Sequence, residues 1–198
     1  SGSGAAGIVR VPGNEPFLIQ KLLDAGADGI MCPMINNAAE AVAFVGACRY
    51  PPLGYRSIGA FRAAEGREAY FEAANVTVVA IAQIETMEAM GNLHEIANTP
   101  GLDVLYAGPS DLSISYGGPP AADYTEAATS DRMIQIAKAA HAEGKRAGML
   151  AFSEQDVALA VEWGMDFISV GAEGVILRAG AQAALNLGLR ATGQTLSR

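Results

Sequence analysis

Cysteine, histidine and tryptophan are scarce in this chain, and basic residues are outnumbered by acidic ones. Cys32 and Cys48 are the only cysteines in 198 residues. Two thiols make no disulfide framework, so a reduced, cytoplasmic setting is expected. The two histidines, His94 and His141, fall in stretches of helical spacing near charged neighbours and read as surface or capping residues. The single tryptophan, Trp163, sits at a helix end and reads as packing. Thirteen Lys and Arg against 21 Asp and Glu give a net charge of −8, which argues against nucleic acid or an anionic membrane as partner. No apolar run approaches the roughly 20 residues a membrane span needs. The opening Ser1–Gly7 has neither a basic nor an apolar stretch, so no signal peptide is expected there. It reads as a linker or a cut end ahead of a domain over 8–198. What the chain does have is apolar content, 51% hydrophobic against 17% charged, enough to build one well-packed domain.

The apolar residues come in short runs punctuated by glycine. Strands are predicted to start at about Ile8, Gly29, Val78, Val104, Arg146 and Phe167. Helices are predicted between them over Glu15–Ala25, with Phe17, Leu18, Leu22 and Ala25 on one face, and over Ala38–Ala47, Met87–Ala97, Ser130–Glu143, Glu154–Trp163 and Val175–Leu189. Pro16 suits a first helical turn and Gly26 a helix stop. Three strands are introduced by the same Gly-x-Asp punctuation, Gly26-Ala27-Asp28, Gly101-Leu102-Asp103 and Gly164-Met165-Asp166. A recurring signal of this kind points to stacked βα units. The count is six, whereas a (β/α)₈ barrel has eight strands and about 250 residues. The expected architecture is therefore α/β, a TIM barrel with six of its eight units present, short by two at the N-terminal side. The long irregular stretch Arg49–Asn75 is expected to form an interface element through Tyr50, Phe61, Tyr70 and Phe71, with a short helix over Glu68–Ala74.

Chemistry concentrates between Val78 and Gly118. The run Val78–Ile84 ends in Glu85, and Val104–Ala107 is followed by Gly108-Pro109-Ser110-Asp111. A strand, a short helix and a second strand at this spacing make a parallel βαβ unit. Both acids then sit at the C-terminal ends of neighbouring strands about 4.8 Å apart. Parallel α/β folds place their chemistry on that edge. Two convergent carboxylates without Cys or His beside them suit a hard divalent cation, Mg²⁺ or Mn²⁺. Taken singly, Glu85 could cap a helix or join an ion pair, Asp111 could close an Asx turn, and Arg10, at the end of the first strand, could be an ion-pair partner. Gln83 points to the same side as Glu85 by strand alternation and would support it from behind or serve as a core amide. Asp28, Asp103 and Asp166 fall at the opposite, N-terminal ends of strands and read as structural.

Five segments in this order carry a resemblance: RVPGNEPFLIQKLLDAGADGIMCPMI, RYPPLGYRSIGAFRA, AQIET, GPSDLSISYG and GMDFISVGAEG. Together they resemble the HpcH/HpaI family of class II pyruvate-dependent aldolases, which includes hydroxy-oxo-heptanedioate and dehydro-deoxy-glucarate aldolases. The resemblance runs from Val9 to about Leu187. It implies a (β/α)₈ barrel and a divalent metal, Mg²⁺ or Mn²⁺ with Co²⁺ or Zn²⁺ as further possibilities. It also implies cleavage or formation of 4-hydroxy-2-oxo acids to give pyruvate, or hydroxypyruvate, plus an aldehyde, through an enolate. The implied assembly is a homo-hexamer, a trimer of dimers, in which terminal helices swap between subunits. By position, Glu85 and Asp111 match the metal ligands, and Arg10 matches the arginine on the pyruvate oxygens. The amides of Ser110 and Asp111 match the carboxylate cradle, and Leu150 matches an apolar residue on the aldehyde side. Family members carry, ahead of the Arg10 strand, an Asp-x-Glu-His strand end whose histidine assists proton movement. That motif does not occur in these 198 residues. The alternatives are an inactive or engineered barrel fragment, and a citrate-lyase-like relative acting on a CoA ester. No basic or adenine-binding stretch marks the latter.

Overall fold

The computed structural model describes residues 4–59, 61–120 and 124–193. In chain order the elements are β1 (Ile8–Arg10), α1 (Pro16–Asp24), β2 (Gly29–Cys32), α2 (Ala38–Cys48), α3 (Phe61–Ala64), α4 (Tyr70–Thr77), β3 (Val79–Ile84), α5 (Met87–Gly91), α6 (Leu93–Ala97), β4 (Val104–Ala107), α7 (Pro109–Ser115), α8 (Ala127–Ala142), β5 (Arg146–Ala151), α9 (Glu154–Glu162), β6 (Phe167–Val170) and α10 (Glu173–Thr192). The six strands pair in sequence order, every pair parallel. The sheet is a curled half-barrel, six strands where a closed barrel of this type has eight.

Strand alternation sorts the apolar residues into two cores. One face of the sheet turns Ile30, Cys32, Ala80, Ala82, Ile84, Leu105, Ala107, Ala147 and Met149 toward the helices, and these belong to the main core with Ile19, Phe44, Met133 and Ile136. The concave face carries a smaller cluster of Ile81, Val104 and Tyr106, flanked by Ile8, Met31, Val79, Leu150 and Phe167. Arg10, Gln83 and Glu85 continue this inner face toward the C-terminal edge. The edge strands β1 and β6 each pair on one side only.

The Gly-x-Asp punctuation has a physical role. Gly26, Gly101 and Gly164 have φ of 104°, 77° and 87°; Gly26 and Gly164 directly follow the C-caps of α1 and α9, whereas Gly101 turns the chain three residues beyond the C-cap of α6, Asn98. Each following aspartate then bonds a backbone N–H on the preceding strand's side. Gly7 donates to Asp28 at 2.8 Å, Ala80 to Asp103 at 2.7 Å and Ala147 to Asp166 at 3.1 Å. A cation joins each: Arg67 with Asp28, Arg49 with Asp103, Arg146 with Asp166. His141 also lies 2.8 Å from Asp166, which accounts for its surface position.

Three expectations need correction. The predicted helix Met87–Ala97 is two, broken at Asn92, whose side-chain amide leaves the helix surface to donate to Asn36 O at 2.8 Å. The inward face of α1 is Ile19 and Leu23, both fully buried, while Phe17 is 81% exposed. Its helix docks one residue round from the predicted face, leaving Leu18 and Leu22 on the flanks. In the 49–75 stretch, Tyr50 and Tyr70 are buried rather than presented for contact. The reason is Arg56, whose fully buried side chain donates to Asp24 at 2.8 Å and to the Tyr70 hydroxyl at 3.0 Å, and stacks 4.6 Å from the Tyr50 ring centre. Phe61, at 86% exposed, remains outside.

Candidate active site

Glu85 follows the last residue of β3 and is only 1% exposed. One carboxylate oxygen accepts the Met34 N–H at 2.8 Å, and the other accepts the Gln83 amide at 3.2 Å. Gln83 in turn accepts from Arg10 Nε at 2.7 Å. Arg10, Gln83 and Glu85 therefore form one continuous line across β1 and β3 at the C-terminal edge. Met34 reaches its position with φ of 56°, the only left-handed non-glycine backbone among the described residues. Such a conformation is held only where its surroundings impose it, and it clusters at functional sites. Here it aims an amide at the carboxylate.

Asp111 approaches from the next strand. β4 ends at Ala107, and Gly108 leads into α7, where Asp111 occupies the first turn. Gly108 passes so close to Glu85 that a Cβ there would meet its carboxylate oxygen at 2.5 Å. That contact is why this position takes glycine. Burial pushes the Glu85 carboxyl above its ordinary range and the Asp111 charge adds to the rise, while the Met34 N–H and Arg10 pull the other way. The two acids thus stand at the carboxyl ends of adjacent strands, Asp111 three residues beyond the glycine that packs on Glu85. Asp111 and Ser110 are exposed. The first amide of α7 to bond back along the helix is that of Leu112, to Gly108 O. The Ser110 and Asp111 amides precede that ladder at the helix start.

A cavity of about 250 Å³ opens at this edge, lined by Arg10, Gln83, Tyr106, Ser110, Asp111 and Leu150, with Met31, Tyr124 and Phe152 closing the wall. A larger concavity, about 540 Å³ between Met87, Tyr116 and Arg132, lies on the helix layer away from the strand ends. Of the sequence-derived candidates, Arg10, Gln83, Ser110, Asp111 and Leu150 line this cavity, while Glu85 does not and is joined to it through Gln83. Several side chains of the lining escaped sequence reasoning. Met31 and Tyr106 could have been found, since they lie on the inward parity of their strands. Tyr124 and Phe152 come from loops, where no periodicity operates. Among the described residues no group of three or more His, Cys, Asp and Glu side chains is arranged around a common point.

This is the arrangement of a parallel βα-barrel enzyme, with paired carboxylates and a cation at the carboxyl ends of its strands. The family model of HpcH/HpaI aldolase/citrate lyase matches residues 2–179. The hydroxypyruvate/pyruvate aldolase of Rhizorhabdus wittichii is 38% identical over 180 residues, covering 90% of this chain and 72% of the relative. The 5-keto-4-deoxy-D-glucarate aldolase of Enterobacter sp. is 37% identical over 185 residues, 91% of this chain and 71% of the relative. Among solved structures, an HpcH/HpaI aldolase/citrate lyase family protein from Burkholderia cenocepacia superposes with a TM-score of 0.80 at 32% identity, over 91% of this chain and 72% of that one. The chain belongs to the HpcH/HpaI aldolase/citrate lyase family.

Proposed function

We propose that this protein is a divalent-metal-dependent class II aldolase that breaks or forms 4-hydroxy-2-oxo acids, exchanging them with pyruvate or hydroxypyruvate and an aldehyde. The observation that carries the reading is the line from Arg10 through Gln83 to Glu85, with Asp111 on the same rim. The donor chemistry fits the cation: two carboxylates at the ends of neighbouring strands offer hard oxygen ligands. Glu85 and Asp111 would hold Mg²⁺ or Mn²⁺, and the bound ion would supply positive charge for the developing enolate.

The remaining work falls to side chains of this chain. The substrate carboxylate sits against the Ser110 and Asp111 amides at the start of α7. Arg10 reaches the keto oxygen with a planar fork of donors, and Gln83 fixes that fork by accepting its Nε–H. As the bond between C3 and C4 breaks, its electron pair moves onto the keto oxygen, where Arg10 stands, and the aldehyde leaves past Leu150. Protonation of C3 then completes pyruvate. Among the described residues the cavity is lined by no histidine. The family resemblance assigns the hydroxyl proton to the histidine of an Asp-x-Glu-His segment, which these 198 residues do not contain. We further propose a homo-oligomer as the working form. No residue of α10 is buried, and Val175, Ile176, Leu177 and Leu187, spread round the helix, are all more than half exposed, apolar surface that suits a neighbouring copy. No described helix is long and apolar enough to cross a membrane.

The test is metal-dependent turnover. Retro-aldol cleavage of a 4-hydroxy-2-oxo acid is expected to be lost after dialysis against a chelator and restored by Mn²⁺ or Mg²⁺. The Glu85→Gln variant is expected not to recover at the same metal concentration. Full activity in chelator would sink the metal-dependent reading.

A further inference from the structure

The bond from Met34 to Glu85 crosses between two strand ends, and the backbone that makes it is held from the side. Residues 33–37 join β2 to α2. Ile35 is fully buried and anchors this loop, while Met34 turns its side chain outward, 52% exposed, and its N–H inward to Glu85 Oε1 at 2.8 Å. A left-handed φ of 56° is unfavourable for a residue with a Cβ, and an untethered loop would relax out of it.

Asn36 supplies the tether, through three polar groups tied to three different elements. Its N–H donates to Glu40 of α2 at 2.7 Å. Its backbone carbonyl accepts the Asn92 side-chain amide at 2.8 Å, at the break between α5 and α6. Its side-chain carbonyl accepts the Thr86 hydroxyl. Thr86 directly follows Glu85 and is the N-cap of α5, where its hydroxyl also accepts the Ala89 N–H at 3.0 Å. The ties close a circuit: from Glu85 along the chain to Thr86, across to Asn36, back along the chain to Met34, and across to Glu85. Two segments bonded at two such points cannot slide past each other, so the carboxylate at one corner keeps its orientation. With Oε1 on the Met34 amide, Oε2 is the oxygen turned to Gln83.

Resting on the metal-dependent reading above, we infer that Asn36 is a positioning residue for the Glu85 ligand. Joined to Thr86 and Asn92, it keeps Met34 left-handed, and the Met34 amide holds Oε1 so that Oε2 is presented to the ion. Partners that orient a metal ligand from behind commonly set affinity by about 10- to 100-fold.

The test is Mn²⁺ affinity of the full chain without substrate, read from the loss of the free-ion electron paramagnetic resonance signal. Asn36→Ala is expected to weaken binding by about tenfold or more. Thr86→Val, which keeps the shape and loses the hydroxyl, is expected to do the same, and Thr86→Ser to bind as the parent does. Thr86→Val also loses a helix cap, so both are set against Asp166→Asn, which removes ties at the opposite face of the sheet. That variant is expected to lower the urea midpoint yet keep Mn²⁺ affinity within about twofold of the parent. Adding Met34→Gly to Asn36→Ala is expected to win back about fivefold, because glycine takes a left-handed φ without the Cβ penalty. Where Asn36→Ala does not fold, Thr86→Val and Thr86→Ser decide. Parent affinity in folded Asn36→Ala and Thr86→Val overturns the inference, as does an equal loss in Asp166→Asn or the absence of recovery by Met34→Gly. In each of those cases Mn²⁺ binding by the parent leaves the metal-dependent reading standing. If the parent binds no Mn²⁺, that reading fails and this inference falls with it.

Discussion

Arg10 is the residue on which the proposed chemistry turns. It is exposed at the end of a three-residue strand, so its orientation comes from one hydrogen bond, the 2.7 Å contact to Gln83. Removing a donor aimed at a developing oxyanion costs about 3–4 kcal/mol of barrier, or about 100- to 1,000-fold in rate. Arg10→Ala is expected to lose that much in kcat for retro-aldol cleavage; a rate within about threefold of the parent would contradict the role. Arg10, Glu85 and Asp111 stand out in the sequence because each closes or follows an apolar run, Gln83 through strand alternation, and Ser110 and Leu150 only through the family resemblance. What was not legible is how they are held. Nothing in the sequence marks the left-handed Met34 backbone that delivers an amide to Glu85. The Gly108 contact is likewise a matter of close approach between two strand ends, near enough that a Cβ would meet Glu85 at 2.5 Å, and is invisible to composition. The two cysteines, by contrast, behave as read: both are buried and free, and desolvation pushes each thiol up to about 12.

At the scale of elements, the repeated Gly-x-Asp unit ties successive strands together at the face opposite the site. For Asp28 the Gly7 N–H is the largest influence, and with Arg67 it holds the carboxyl below its ordinary value of 3.8 despite partial burial. For Asp166 the desolvation is outweighed by His141, the Ala147 N–H and Arg146 acting together. Both carboxyls titrate lower in the folded chain than in the unfolded one. Their stabilisation is therefore present above about pH 4 and is lost as pH falls through the lowered folded values. The urea midpoint is expected to drop on acidification below pH 4, and to drop less steeply in Asp166→Asn than in the parent. Parallel slopes in the two proteins would contradict this account. All six strands were legible from their short apolar runs, with β3 starting one residue later than expected. The helix breaks and faces were less so. Asn92 interrupts a helix because of a partner 56 residues away, and α1 rotates onto Ile19 and Leu23 because the neighbouring α2 decides which ridge docks.

For the whole molecule, six parallel strands give a half-barrel with two unpaired edges and a 20-residue final helix that buries none of its residues. Edges and apolar faces of that kind are covered in stable proteins. The sequence made the strand count legible, but it could not show that the last helix would stand clear of the main core, because burial is decided by what lies opposite. Light scattering at micromolar concentration is expected to give a multiple of the 20.4 kDa chain mass. Replacing Ile176 and Leu187 by Ser is expected to shift the mass toward one chain, and a monomeric parent would contradict the oligomer. The central claim is narrower: Glu85 and Asp111 grip one ion beside the keto acid. Its most direct test is a crystal soaked with Mn²⁺ and pyruvate and measured at the manganese edge. The account predicts one anomalous peak bound by oxygens of Glu85 and Asp111 at about 2.0–2.6 Å, with pyruvate next to it and Arg10 on the keto oxygen. Pyruvate in the cavity with no peak between those two carboxylates at saturating Mn²⁺ would contradict it.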